Sequence, residues 1–179
     1  QYLTSVQQRV AAIPRSRLDA QSRADYDLIA NNTAFALFSL GEERFYERRP
    51  QMYAEVLGNA LFAPAALEYA DKATRAGHLA SRVRQVPRFL AVARSNLRST
   101  NAIYTKVALE ETDGLTGLIT DVAASLAKGT PAEQPLAAAT KPALDAIAEY
   151  KAFVKDTLPG RGKFDWRMGA ARYATKRKY

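Results

Sequence analysis

The residues that could support metal or acid–base chemistry are few, and the single histidine, His78, is the first of them. The 179 residues contain no cysteine. Zinc sites normally need three or four protein ligands, commonly histidines when cysteine is absent, so one histidine does not favour such a site. His78 follows Gly77, and we expect a partly exposed histidine at a helix start. A role as general base or lone ligand is the minority alternative.

Other short motifs associated with catalysis or phosphate binding are incomplete. The sequence has no G-x-S-x-G turn to present a nucleophilic serine. The stretch GRGK at 160–163 resembles part of a phosphate-binding loop, but it lacks the full G-x-x-x-x-G-K-[ST] spacing and follows no predicted strand. We therefore predict no catalytic, cofactor-binding or metal-ligating residue in this chain.

Two charged stretches could still mark a contact. The stretch EETDG at 110–114 holds three acids without the twelve-residue calcium-loop pattern, so a solvated helix face is expected, with an ion or substrate contact as the alternative. The stretch GEERFYERR at 41–49 interleaves acids and arginines. Residues four positions apart in it carry the same charge, as in Glu43–Glu47 and Arg44–Arg48. It indicates a mixed-charge surface or a contact with a missing partner. Four tyrosines are predicted at the rim of the core rather than in a binding cage, namely Tyr46, Tyr53, Tyr69 and Tyr104.

The elements that would position these residues are helical nearly throughout, because apolar residues recur at helical spacing and no alternating strand pattern persists. A first helix is ended by Pro14. A second is predicted to begin with a capping-box-like pair, Ser22 and Asp25. A third carries two adjacent stripes and is expected to break at Pro64; the stripes are Met52, Val56 and Ala60, and Tyr53, Leu57 and Leu61.

The stretch VRQVPRFLAVARSNL at 83–97 combines a helical apolar pattern with an internal proline, Pro87. Proline in a helix interior costs roughly 3 kcal/mol. The apolar seam keeps its phase across the proline, with members Leu79, Val83, Val86, Leu90, Ala93 and Leu97. This predicts one helix bent at Pro87 or two helices stacked end to end; the alternative is that Pro87 occupies the first turn of a new helix.

Two more long helices complete the expected architecture. One runs from about Asn101, is loosened by Gly114 and Gly117, and stops at Gly129. The next is predicted to use Thr130 as a cap and Pro131 in its first turn, with Glu133 closing the box. Its apolar stripe is Leu144, Ile147, Val154 and Leu158. The predicted fold class is an all-α bundle of about six to seven helices with a long proline-bent helix around Pro87.

Charge is distributed unevenly along the chain. The net charge is +8, and residues 161–179 hold seven basic residues against one acid, Asp165. We predict a helical domain over 1–160 and a basic C-terminal segment over 161–179. Because the positive charge is not spread over a folded face, nucleic acid is not a predicted partner. No apolar run reaches the length of a membrane span.

Four motifs in order resemble the bacterial family known as domain of unknown function 885, over about residues 18–164. They are SRADYDLI, RPQMYAEVLGNALF, RQVPRFLAVARSNL and IYTKVALEETDGLTGLI. The most specific positions are Pro50, Tyr53, Leu57 and Gly58, followed by Val86-Pro87, Phe89-Leu90 and Asn96-Leu97.

The resemblance implies an all-helical protein, often exported, so a periplasmic or extracellular location is suspected. Longer members look like zinc metallopeptidases with an H-E-x-x-H motif in the C-terminal half. That motif is absent here, so no ligand or base carries over. The resemblance implies a non-catalytic N-terminal helical portion, a scaffold or cleft wall, with zinc suspected only in the missing C-terminal part.

Two alternatives remain open at this point. A self-sufficient helical binding module of unknown ligand is the first, and a basic nucleic-acid-associated protein is a distant second. The expected partner is the missing C-terminal part of the same protein. Self-association is a further expectation, because the apolar residues of segment 164–179 have no predicted apolar surface to cover them. They are Phe164, Trp166, Met168 and Tyr173.

Overall fold

Seven helices and no β-strand make up the chain, in a computed structural model that describes all residues 1–179. An all-α bundle of six to seven helices is therefore confirmed. The helices are α1 (Tyr2–Ala11), α2 (Ala20–Phe38), α3 (Pro50–Ala66), α4 (Lys72–Asn96), α5 (Ala102–Gly117), α6 (Glu133–Ala152) and α7 (Ala170–Lys176).

Three of the helices continue into π-helical segments, in which each turn holds more residues than an α-turn. These segments are Ser39–Glu43 after α2, Leu118–Ala123 after α5 and Phe153–Thr157 after α6. The last two run on into single α-helical turns, Ala124–Ala127 and Leu158–Arg161. The GRGK stretch at 160–163 therefore begins inside a helical turn, which ends at Arg161.

Contacts group the residues into two compact units. One contains Gln1–Phe45 with Asp165–Tyr179, and the other contains Tyr46–Phe164. We call them the terminal unit and the central unit. The grouping describes packing rather than independent stability, so the predicted division of the chain at residue 160 stays a prediction.

Helix α4 is the centre of the central unit. All six seam residues are between 0% and 1% exposed; they are Leu79, Val83, Val86, Leu90, Ala93 and Leu97. The helix runs without interruption from Lys72 to Asn96 with Pro87 inside it, so the prediction of a helix that continues through the proline is confirmed. The alternative, a new helix starting at Pro87, is wrong. Helix α4 packs along α6 and α3, and α3 packs on α5.

Helix α3 shows which of its two predicted stripes faces the core. Tyr53, Leu57 and Leu61 are buried, whereas Val56 is 49% exposed. The predicted break at Pro64 is wrong, because α3 continues to Ala66 with Pro64 buried. Proline has no N–H to bond to Ala60 O, and the Arg82 guanidinium donates to that carbonyl oxygen instead at 2.6 Å.

Arginine side chains satisfy the open carbonyl groups at two helix ends, a role often played by glycine backbones. Arg75, only 8% exposed, donates to Pro64 O and Ala65 O at the end of α3 at 3.0 and 3.3 Å. Arg161 donates to Arg94 O and Leu97 O at the end of α4 at 3.0 and 2.9 Å. These contacts tie each helix end to a later segment of the chain.

Three helices, α2, α4 and α5, begin with a side-chain cap. Helix α6 has none, because its N-cap position is Ala132, so the prediction of a Thr130 cap with Pro131 in the first turn is wrong. Asp19, and not Ser22, caps α2; its carboxylate accepts from the Ser22 N–H at 2.8 Å. Asp71 and Asn101 cap α4 and α5 in the same way. Helix α6 begins at Glu133, whose carboxylate accepts from Gly129 N.

In the terminal unit, α7 packs through one charged pair and one aromatic cluster. Glu43 is 3% exposed and accepts from Lys176 Nζ at 2.7 Å and from Ser39 Oγ at 2.9 Å. The Tyr179 ring lies 5.9 Å from Phe35 and 5.7 Å from Phe38. Of the apolar residues expected to be uncovered in segment 164–179, Trp166 and Tyr173 are each 59% exposed.

Buried polar groups of the central unit are mostly paired. Tyr150 donates to Pro50 O at 2.7 Å, and burial raises its phenol pKa. Glu111 differs, since its Oε2 atom is buried without a hydrogen-bond partner. Burial, with a smaller effect of the nearby Glu55 charge, raises the pKa of the Glu111 carboxyl.

We expect Pro87→Ala to leave the fold intact and its stability unchanged or increased. The backbone N–H that alanine restores can complete the α4 hydrogen-bond ladder, which the proline interrupts. Urea unfolding followed by circular dichroism measures the difference. A loss of the folded state would mean that the Pro87 ring itself is required by the packing.

Leu90→Ala should destabilise the protein by roughly 2–5 kcal/mol, because it removes a fully buried seam side chain and leaves a cavity. Arg88→Ala is the control on the same helix, at an exposed position. Unfolding in urea should separate the two variants clearly. Equal stabilities would show that the seam is assigned to the wrong face.

Glu111→Gln should stabilise the fold near neutral pH and have no such effect in acid. The folded pKa of Glu111 is raised, so the native state binds its proton more tightly than the unfolded chain does. Stability therefore falls as pH rises from the ordinary carboxyl pKa through the raised one, and the neutral glutamine avoids that loss. Thermal unfolding between pH 4 and 8 measures it, with Glu110→Gln as the exposed control. A gain independent of pH would contradict the assignment.

Candidate functional site

His78 lies on the exposed side of α4, in its second turn rather than at its start. Its Nδ1 atom is 2.9 Å from Tyr69 Oη, and the two rings stack with centroids 5.9 Å apart. This pairing uses one ring nitrogen and one ring face. The structure brings no carboxylate to His78, so it assembles no acid–base pair there.

The three acids of 110–114 do not converge. Glu110 lies 3.8 Å from Lys106, one turn earlier on the same helix. Asp113 pairs with Lys151 of α6, and Glu111 is the half-buried carboxyl described above. Two of the three thus pair with lysines at the surface, as expected for a largely solvated face. No group of three or more histidine, cysteine, aspartate or glutamate side chains could hold a metal ion.

The four tyrosines lie at three separate positions in the structure. Tyr53 is buried and donates to Tyr46 O at 2.6 Å, and Asn96 donates to its hydroxyl at 3.2 Å. Tyr69 is the stacking partner of His78. Tyr104 lies beside Phe164, with ring centroids 6.0 Å apart. They do not form a cage.

The stretch at 160–163 has a structural role that its sequence does not show. Gly162 O accepts from Thr100 N at 3.2 Å, and Thr100 O accepts from Phe164 N at 3.0 Å, which gives a single parallel bridge between Thr100 and Lys163. A Cβ atom on Gly162 would lie 3.3 Å from Arg98 O, so a glycine suits this close approach. The segment is held against the start of α5 and forms no phosphate loop.

This bridge builds one side of a cleft of about 760 Å³, which is the candidate binding site of the central unit. Helix α5 forms the other side. The apolar lining residues are Ala102, Leu109, Pro159 and Phe164; the polar ones are Thr100, Asn101, Thr105, Lys106, Glu110, Asp113 and Lys163. Clefts with an apolar lining and a few polar groups are the usual form of small-ligand sites.

The walls of the cleft are fixed by contacts with neighbouring segments. Arg48 lies over the Phe164 ring, with its guanidinium carbon 5.2 Å from the ring centroid. Asn101 Oδ1 accepts from Tyr104 N at 2.9 Å and so caps α5. The Thr100 and Thr105 hydroxyls are 3.2 Å apart. The sequence offers one local signal for this site, the S-T-N stretch at 99–101 before α5, but the cleft itself comes from residues sixty positions apart.

None of the helices is both long enough and apolar enough to pass through a lipid bilayer.

Comparison with solved structures and curated proteins gives a fold but no activity. A chain described as "a putative lipoprotein of unknown function" from Shewanella oneidensis superposes with a TM-score of 0.87 at 18% sequence identity. The match covers 98% of this chain and 33% of that one, so this chain spans a third of the length of its structural neighbour. No curated protein matches.

A family comparison covers the whole sequence. The family described as "Bacterial protein of unknown function (DUF885)" matches residues 1–179. The chain therefore belongs to the DUF885 family of bacterial proteins.

Proposed function

We propose that this chain is the non-catalytic N-terminal helical portion of a longer, zinc-metallopeptidase-like family member, in which it forms a wall of the substrate cleft. The superposition of nearly the whole chain on one third of a longer structure carries this proposal. The remaining two thirds of such a protein would supply the chemistry. A fold alone does not define a function, so the proposal depends on where the reactive residues lie.

The scarcity of possible zinc ligands in this chain supports the proposal that the chemistry lies in the rest of the longer protein. One histidine, paired with a tyrosine on an exposed helix face, cannot complete a zinc site. An H-E-x-x-H helix in the remaining portion would supply two ligands and a general base together. In this arrangement the present chain contributes shape and surface, and no ligand.

Exposed apolar side chains offer surfaces on which further protein could pack. In the central unit, Val56, Phe62 and Leu67 of the α3 region are between 49% and 59% exposed. In the terminal unit, Trp166 and Tyr173 are equally open. Apolar surface of this kind often marks an interface. The partner proposed for it is the rest of the longer protein, with another copy of the chain as the competing occupant.

A periplasmic or extracellular location is part of the same proposal. The structural neighbour is described as "a putative lipoprotein", which is compatible with such a location.

The cleft of the central unit favours a second candidate, a self-sufficient helical binding module. The reading frame that follows Tyr179 separates the two. An H-E-x-x-H motif there supports the cleft-wall proposal, whereas a stop codon directly after Tyr179 would reject it and favour the binding module.

We expect the 179-residue chain to bind no zinc tightly at one-to-one stoichiometry and to hydrolyse no peptide. One histidine without cysteine cannot provide the usual ligand set. Calorimetric titration with zinc measures the first property, and release of a fluorescent group from a peptide library measures the second. His78→Ala serves as the matched variant.

Tight stoichiometric zinc binding that disappears in His78→Ala would contradict this expectation. Peptide hydrolysis that persists in that variant and resists a chelator would also reject a non-catalytic role. Weak binding that is the same in both proteins would reflect surface carboxylates and would agree with the proposal.

A further inference from the structure

Two stripes of residues meet where α3 lies beside α5, on the side of α5 that does not line the cleft. Each stripe repeats at helical spacing. The α3 stripe consists of Gln51, Glu55, Gly58 and Phe62, and the α5 stripe, which continues past the helix end, consists of Tyr104, Val107, Glu111, Gly114 and Leu118. A Cβ atom on Gly58 would lie 3.7 Å from the Leu115 side chain, so the two helices are in close contact here. We call the surface formed by the two stripes the α3–α5 face.

The charges on the α3–α5 face are acidic and uncompensated. Glu55 is the only charged residue of α3, is exposed and makes no ion pair. Glu111 makes none either, whereas the other two acids of α5, Glu110 and Asp113, each pair with a lysine. Helix α3 and residues 102–123 together hold five acids and one lysine, in a chain whose net charge is +8. The two stripes thus carry negative charge and no base of their own.

An independent observation shows that hydrogen-bond donors are missing from the same face. Gln51 is only 8% exposed, and its Oε1 atom is buried without a partner, one turn before Glu55 on the α3 stripe. Glu111 Oε2 is likewise buried and unpaired. The buried hydroxyl of Tyr150 is already used by Pro50 O. Buried acceptors are nearly always paired in native structures, so two unpaired ones on one face indicate a missing donor.

Apolar side chains flank the acidic centre of the face. Phe62 is 53% exposed and lies two turns after Glu55 on the α3 stripe. Val107 lies one turn before Glu111, and Leu118 lies two turns after it; both are half-buried. At Gly114 a Cβ atom would meet nothing within 4 Å, so the face is open there. The α3–α5 face therefore combines a central pair of carboxylates with apolar contacts on both sides.

We infer that the α3–α5 face binds an arginine-bearing apolar segment of a partner protein. The guanidinium lies at Glu55 and Glu111, and the apolar neighbours of the arginine contact Phe62 and Leu118. Arginine suits the face better than lysine, because its planar fork carries five N–H donors and is more weakly hydrated. A metal ion is not favoured, because no group of three or more possible ligands converges. The inference names the chemistry of the partner and does not depend on the cleft-wall proposal.

The test is a titration of the isotope-labelled 179-residue chain with a short apolar peptide, followed by amide chemical shifts. The peptide is acetyl-Leu-Ala-Ala-Arg-Leu-Ala-Ala-Leu-amide, and two matched forms carry lysine or citrulline in place of the arginine. Citrulline has the shape of arginine without its charge. We expect the arginine peptide to bind about fivefold more tightly than the citrulline peptide, because only arginine makes charge-assisted hydrogen bonds, with lysine between them. The largest shifts are expected at Glu55, Glu111 and Gly114.

Three variants and one control locate the arginine. Glu55→Gln and Glu111→Gln each keep the side-chain shape and remove one carboxylate, so each should remove most of the preference for arginine over citrulline. Gly114→Gln fills the open space and should weaken the binding of all three peptides. Asp145→Asn removes the same charge from an exposed position on α6 and should leave every affinity unchanged. Circular dichroism checks that each variant is folded, and the comparison of peptides on the unaltered chain needs no variant.

Equal binding of the arginine and citrulline peptides would overturn the inference, as would the absence of binding by any of the three. Equal effects of Glu55→Gln and Asp145→Asn, or largest shifts outside the α3–α5 face, would also overturn it. Shifts at the face that depend on protein concentration without any peptide would assign it to a second copy and reject the proposed partner. None of these outcomes bears on the cleft-wall proposal, which the reading frame after Tyr179 tests.

Discussion

Burial of the α4 seam is the constraint on which the central unit depends. Six seam residues at most 1% exposed lie along this helix of 25 residues. Helices α3 and α6 pack alongside it, and residues 118–127 add further contacts. Pro87 makes the constraint stricter, because it weakens the helix locally and leaves tertiary packing to hold it. The remaining long helix of the unit, α5, packs on α3.

Polar contacts then fix the ends of the helices that the seam arranges. Tyr150 bonds to Pro50 O and Tyr53 to Tyr46 O, so the start of α3 is held both by α6 and by the segment before it. Arg161 holds the end of α4. The cleft follows from this last contact, because the segment after Arg161 passes directly beside the start of α5. The candidate binding site therefore depends on the hydrogen bonds at the end of α4 and at the start of α5.

The sequence predicts features that a local repeat or a single residue determines. It does not predict features that depend on contacts between distant residues. The α4 seam and the stop at Gly129 were correct because periodicity and glycine act locally; Gly129 has a φ of 74°. The continuation of α3 through Pro64 is not visible in the pattern, because the carbonyl that the proline leaves open is satisfied by Arg82 of the next helix. The pair Ser22 and Asp25 resembles a capping box, whereas in the folded chain the carboxylate of Asp19 caps α2. The cleft had no local signature, because Thr100 and Lys163 meet only in the folded chain.

The arginines that close helix ends have a consequence for how the molecule behaves as a charged body. Arg75 and Arg161 bond to neutral carbonyl oxygens rather than to carboxylates, so their hydrogen-bonding capacity is used while their charge is not cancelled. Both guanidinium groups thus contribute local positive potential to a chain whose formal net charge is +8. It should adsorb to cation-exchange media and to anionic surfaces in a salt-dependent manner. Such adsorption would follow from the net charge of the chain and would not by itself indicate recognition of a polyanion.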